Sequence, residues 1–136
     1  MAGADVDLPL MTGGGMRGAH GLGELEADIM AVLWDNAQLI TVRHVLTALQ
    51  RPAAYTTVMT VMDNLHRKGL LSRERRGRAY HYRPVWGREE YTARVMREVL
   101  GAASDHDAVF AHFVSQMTDE ESRSLQAVWQ RHKTAG

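Results

Sequence analysis

The stretch Tyr55 to Val85, YTTVMTVMDNLHRKGLLSRERRGRAYHYRPV, changes its period halfway along. In the first half Val58, Val61, Met62 and Leu65 recur at three- and four-residue steps, the stripe of a helix running from Tyr55 to Lys68. Ala54 is a weak N-cap, and Gly69 suits the left-handed position just past a helix end. The opposite face carries Thr56, Met59, Thr60, Asp63, Asn64 and Arg67. Packing alone does not require that second ordered face. In the second half, Leu70-Leu71 and the alternating Ala79-Tyr80-His81-Tyr82 predict two short strands. Arg76-Gly77 lies between them, with Gly77 free to take the positive φ of a tight turn, and Pro84 closes the second strand. A basic hairpin therefore follows a helix directly.

Upstream, Leu22, Leu25, Ile29, Val32 and Leu33 form one helical stripe ending near Asp35-Asn36. Thr41 reads as the N-cap of a shorter helix with Val42, Val45, Leu46 and Leu49 on one face, which Pro52 ends. Helix, short helix, helix and hairpin is the order of a winged helix-turn-helix domain. Downstream, Tyr91, Val95, Val99 and Leu100 make a stripe broken near Gly101. Ser104 or Asp105 caps a helix with Val109, Phe110, Phe113, Val114 and Met117. Thr118 to Glu121 has capping-box spacing and opens a last helix with Leu125, Val128 and Trp129. So short a segment cannot hide that much apolar side chain alone, which predicts a homodimer. The expected fold class is mainly α with a small β-hairpin wing. The expected division is a glycine-rich disordered leader over 1–21, a winged helix over 22–86 and a three-helix dimerisation region over 87–136. The predicted dimer contacts are Tyr91, Val95, Val99, Val109, Phe110, Phe113, Val114, Leu125, Val128 and Trp129.

The 136 residues carry no net charge, yet the charge is sorted along the chain. Residues 1–40 hold six acids (Asp5, Asp7, Glu24, Glu26, Asp28, Asp35) and one base, Arg17. Residues 67–83 hold seven bases (Arg67, Lys68, Arg73, Arg75, Arg76, Arg78, Arg83) against Glu74 alone. A field concentrated in this way steers polyanions even when the total cancels.

Other chemistries find little support. Without cysteine there are no disulfides, thiolate metal sites or cysteine nucleophiles. No Gly-rich phosphate loop, GxSxG or apolar-set carboxylate pair occurs, so no enzyme is expected. The seven histidines make no HExxH motif. His106 and His112 with Asp105 and Asp107 could form only a makeshift metal site, and solvated histidines are the plainer reading. No metal and no cofactor are expected. No apolar run reaches the roughly 20 residues of a membrane span, and the start lacks secretory-signal order. The expected location is the cytoplasm, with no membrane insertion.

A basic hairpin beside a polar helix face suits duplex DNA. A helix fits the major groove, about 12 Å wide, where hydroxyl and amide groups meet base edges. Arginines next door meet the backbone. The candidate DNA-binding residues are Arg43, Tyr55, Thr56, Thr57, Met59, Thr60, Asn64, Arg67, Lys68, Arg75, Arg76 and Arg78. Tyr80 and Tyr82 are expected to pack beneath the wing, and Trp34, Trp86 and Trp129 in a core or interface. The pattern also suits a winged helix whose hairpin docks on an acidic protein, or a regulator answering to a ligand or metal.

Three segments carry a family resemblance: LGELEADIMAVLW (22–34), AYTTVMTVMDNLHRKGLLSRERRGRAYHYRPV (54–85) and FAHFVSQMTDEESRSLQAVW (110–129). Together they resemble the penicillinase-repressor (BlaI/MecI) family of bacterial transcription factors over residues 22–130. The resemblance implies a dimeric repressor that binds a palindromic DNA operator through the third helix and the wing, and dimerises through the C-terminal helices. It further implies control of β-lactamase or cell-envelope genes, with release by a membrane-sensor protease. Two departures stand out. Met96-Arg97 occupies the place of the Asn-Phe bond that is cut in staphylococcal members. The paired Cys-x-Cys motifs of the copper-responsive cousins are missing, which rules out copper control of that kind.

Overall fold

The computed structural model describes residues 22–135. The expectation of a disordered leader over 1–21 lies outside them. Among the described residues the chain forms two compact units, the first ending at Val95 and the second beginning at Met96.

The first unit opens with α1 (Glu24–Trp34), whose Glu26 carboxylate accepts from the backbone N–H of Gly23 at 3.0 Å. Its inward face is Ile29, Met30 and Leu33, with Leu25 and Val32 only partly buried. A two-residue strand β1 (Ile40–Thr41) comes next. The sequence offers no signal for it, because two residues show no alternation. Thr41 then caps α2 (Val42–Ala48), its hydroxyl accepting from the His44 N–H at 3.1 Å. This satisfies one of the orphan donors of the helix start.

Helix α3 (Tyr55–Arg67) starts without a side-chain cap, as Ala54 implies. It ends in a Schellman arrangement: Gly69 sits at φ +88°, its N–H donating to the His66 carbonyl and the Leu70 N–H to the Leu65 carbonyl, each at 3.0 Å. Val58, Met62 and Leu65 are buried, and Val61 is half-buried.

The wing is β2 (Leu71–Arg76) and β3 (Ala79–Pro84), joined by Gly77 and Arg78. Gly77 has φ +64°, as the first central residue of a primed hairpin turn requires. The first strand is longer than Leu70-Leu71 suggests and runs through the arginines, because each of Leu71 to Arg76 faces a residue of β3. The sheet order is β1-β3-β2, all antiparallel, with Ile40 opposite Tyr82 and Thr41 opposite His81. The core gathers Leu22, Ile29, Met30, Leu33, Ile40, Val42, Val45, Val58, Met62, Leu65, Leu71 and Tyr82, so α1, α2, α3 and the root of the hairpin fix one another.

Helix α4 (Arg88–Gly101) leaves this unit and continues past Val95. Its first turns are anchored. Tyr91 packs on the core and stacks against Trp34 at 5.8 Å, and the Trp34 indole N–H donates to the Trp86 carbonyl at 2.9 Å. Arg94 lies 3.9 Å over the Trp86 ring. Tyr91, grouped in the sequence with the dimer stripe, thus spends part of its surface inside its own subunit.

The second unit contains the end of α4, then α5 (His106–Ser115) and α6 (Asp119–Ala135). Asp105 is the residue that caps α5, accepting from the Ala108 N–H at 3.1 Å. Thr118 and Glu121 form the reciprocal capping box of α6 at 2.9 and 3.0 Å. None of the three helices buries a residue fully.

Candidate nucleic-acid interface

With its apolar stripe spent on the core, α3 turns Tyr55, Thr56, Thr57, Met59, Thr60 and Arg67 to solvent. Asn64, nearer the helix end, is half-buried. Tyr55 and Met59 are 41% and 42% exposed. Arg43, at the start of α2, lies 5.3 Å over the Tyr55 ring. That contact joins α2 to the leading turn of α3 and keeps the guanidinium at the edge of the same surface.

Register decides which wing arginines share that surface. Residues directly opposed in an antiparallel pair lie on one face of the sheet. Leu71 opposes Pro84, Arg73 opposes Tyr82, and Arg75 opposes Tyr80. Leu71 and Tyr82 are core residues, so this face looks toward α3. The other face carries Ser72, Glu74 and Arg76 opposite Arg83, His81 and Ala79.

The seven bases of residues 67–83 accordingly separate. Arg73 is turned inward: its Nη1 donates to Asp63 of α3 at 2.9 Å and to the Tyr82 hydroxyl at 3.3 Å, and its guanidinium lies 4.0 Å over the Tyr80 ring. Arg75, two residues further along the same face, lies 5.2 Å over the Tyr80 ring. Arg76 pairs with Glu74 at 2.7 Å on the far face. Lys68 pairs with Glu26 of α1 at 2.8 Å. Arg67 pairs with Asp63 yet stays 71% exposed, so its head group remains in reach of solvent. Arg78, at the hairpin turn, and Arg83 are exposed. The structure therefore brings Arg43, Tyr55, Thr56, Thr57, Met59, Thr60 and Arg67 together at α3, with Arg75 farther along the wing face that Arg73 joins to that helix. Lys68 and Arg76 are turned to other acids.

Acid partners leave their mark on protonation. The Arg73 guanidinium foremost, then that of Arg67, holds the Asp63 carboxyl below the usual carboxylate range. Arg76 does the same to Glu74. Asp63 and Arg73 were visible in the sequence only as members of an outward face and of a basic run. The signal that pairs Arg73 and Arg75 with Tyr80 and Tyr82 was present as period-two alternation on both strands. Reading it needed the hairpin register.

No group of three or more histidine, aspartate or glutamate side chains is placed to hold a metal ion among the described residues. Asp105 is used as a cap, and His106 meets the Phe110 ring edge to face at 6.5 Å. No helix among these residues is long and apolar enough to cross a membrane.

Helix, strand, two helices and a basic hairpin, with the third helix bare on one side, define a winged helix-turn-helix protein. The penicillinase repressor family model matches residues 22–131, and the chain belongs to that family of transcriptional regulators. Over 109 residues it is 41% identical to the transcriptional regulator BlaI of Mycobacterium tuberculosis, in both strain CDC 1551 / Oshkosh and strain ATCC 25618 / H37Rv. The match covers 76% of this chain and 79% of the relative. Among solved structures, MepR, a transcription regulator of the Staphylococcus aureus multidrug efflux pump MepA, is 19% identical. It aligns over 84% of this chain and 79% of its own with a TM-score of 0.46. The YusO protein of Bacillus subtilis is 18% identical over 86% and 78% of the two chains, with a TM-score of 0.45.

Proposed function

We propose that this chain is a homodimeric transcriptional repressor that acts by binding duplex DNA, without catalysis. Each subunit sets the outward face of α3 in one major groove of a palindromic operator and lays its wing on the flanking backbone. The observation that carries this reading is that α3 leaves Thr56, Thr57, Met59 and Thr60 solvent-facing while its Asp63 pairs with Arg73 of the wing, two residues before Arg75 on the same strand face. Membership of the penicillinase repressor family supports it.

In this reading Thr57, Thr60, Met59 and Asn64 meet base edges, while Arg43, Arg67, Arg75 and Arg78 meet phosphates. Lys68 and Arg76 join them by exchanging Glu26 and Glu74 for phosphate. The region 87–136 supplies the dimer. Its apolar stripe of Val99, Val109, Phe110, Phe113, Val114, Leu125, Val128 and Trp129 is exposed in the single chain, with Trp129 at 65%. Val95 lies beside it, half-buried. A contiguous exposed apolar surface of this kind marks an interface. The repressor works in the cytoplasm, and family membership supports β-lactamase or cell-envelope genes as targets and a membrane-sensor protease as the releasing partner.

A gel shift with the DNA upstream of the chain's own gene and of its neighbours tests the function. A sequence-dependent shift that Thr57→Ala or Thr60→Ala relaxes among operator variants is expected. Equal affinity for unrelated duplexes, or none, overturns it and favours docking on an acidic protein.

A further inference from the structure

The hairpin projects well beyond the core. Past Leu71 and Tyr82 its residues bury no apolar side chain, so packing alone does not fix the angle at which its outer half leaves the domain. One polar assembly spans that gap. The Asp63 carboxylate accepts from Arg67 of its own helix through one oxygen and from Arg73 of the wing through the other. Arg73 then lies over Tyr80 at 4.0 Å and over Tyr82 at 5.9 Å, and Arg75 takes the next place over Tyr80 at 5.2 Å. Helix α3 and the wing are thus linked by a carboxylate, a guanidinium, a phenol ring and a second guanidinium in sequence.

We propose that Asp63 is a positioning residue for DNA binding, which sets the wing's angle to α3 through Arg73 and Tyr80 and so places Arg75 on the phosphate backbone. The proposal rests on the DNA-binding reading above. Asp63 itself need not touch DNA; a carboxylate beside phosphate would be repelled. Its value is geometric. A planar guanidinium held by a carboxylate at one edge and an aromatic face below has little freedom to rotate, whereas a lysine ammonium would supply only a point charge. Simple stabilisation explains the choice less well. Both partners are partly exposed, with side-chain exposures of 22% for Arg73 and 32% for Asp63, and such pairs contribute little to folding.

A double-mutant cycle separates the two roles. Wild type, Asp63→Asn, Arg75→Ala and the double variant are titrated against a fluorescein-labelled duplex of mixed sequence at low salt, with circular-dichroism melts run on each. If Asp63 places Arg75, the Arg75→Ala change weakens binding by about tenfold in the native chain and by about twofold or less beside Asp63→Asn. The salt slope falls once, not twice. Should Asp63→Asn melt near the assay temperature, Arg73→Lys takes its place in the cycle with the same expectation. Losses that simply multiply overturn the positioning role and leave the DNA reading intact. A wild-type chain that leaves the duplex free overturns both.

Discussion

Arg75 and Arg76 are neighbours in sequence and strangers in space. Arg75 lies on the sheet face that looks toward α3, while Arg76 lies on the other face against Glu74. Both are arginines in a basic run, and charge counting ranks them equally. The structure does not. Arg75→Ala is expected to weaken duplex binding for every sequence and to flatten the salt slope by about one phosphate contact. Arg76 is already engaged by Glu74, so Arg76→Ala is expected to change the salt slope less, its loss of affinity coming mainly from the freed carboxylate. Anisotropy titrations over a range of salt concentrations check the ranking; equal slopes for the two variants count against it. The candidates drawn from sequence agree best with observed exposure on α3, where one stripe of apolar residues dictates which side chains face out. Sequence was least informative on Lys68 and Arg73, whose acids Glu26 and Asp63 lie on other elements, and on Arg76, whose pairing with Glu74 needs the strand register.

Among elements, α1, α2 and α3 were legible because their apolar steps, caps and stops agree with one another. Thr41 at the start of α2 and Gly69 beyond α3 do in the structure what their chemistry predicts. Thr41→Ala should cost about 1 kcal/mol in urea denaturation, since the His44 N–H loses its acceptor. Strand β1 was not legible, because two residues have no period and their partner in β3 lies some forty positions on. The docking of wing against α3 has a pH dependence of definite sign. Asp63 titrates below its unfolded value, so its contribution is complete above that value and is lost as pH falls through the folded one. Amide exchange in the outer half of the hairpin should therefore stay slow from neutral pH to about pH 4 and quicken below it, after correction for intrinsic rates. Asp63→Asn should remove that acid-linked change, and a variant that keeps it would show another group to be responsible.

At the level of the whole molecule, the second unit is short of interior. Its helices expose Phe110, Phe113, Val114, Val128 and Trp129, and a groove of about 530 Å³ between its helices is lined by Met96, Phe113, Met117, Leu125 and Val128 among others. Sequence predicts the dimer from this excess, but not that Tyr91 packs on the core of the first unit. Sedimentation should give the mass of two chains. Phe113→Asp or Trp129→Asp should give the mass of one, with operator affinity reduced at least tenfold through loss of the second half-site. A wild-type chain that sediments as a monomer would remove the dimer from the account.

Helix α4 belongs to both units, and its bracing contacts, from Arg88 on Asp35 and Tyr91 on Trp34 to Arg94 on Trp86, all come before Val95. A cut beyond that point is expected to leave the first unit folded, which a circular-dichroism melt of the truncated chain checks. On the dimeric reading proposed above, what disappears is the tether between two heads, and a chelate grip on paired half-sites becomes two weak, independent encounters. On that reading, one cut in α4 after Val95 silences the chain without unfolding the first unit.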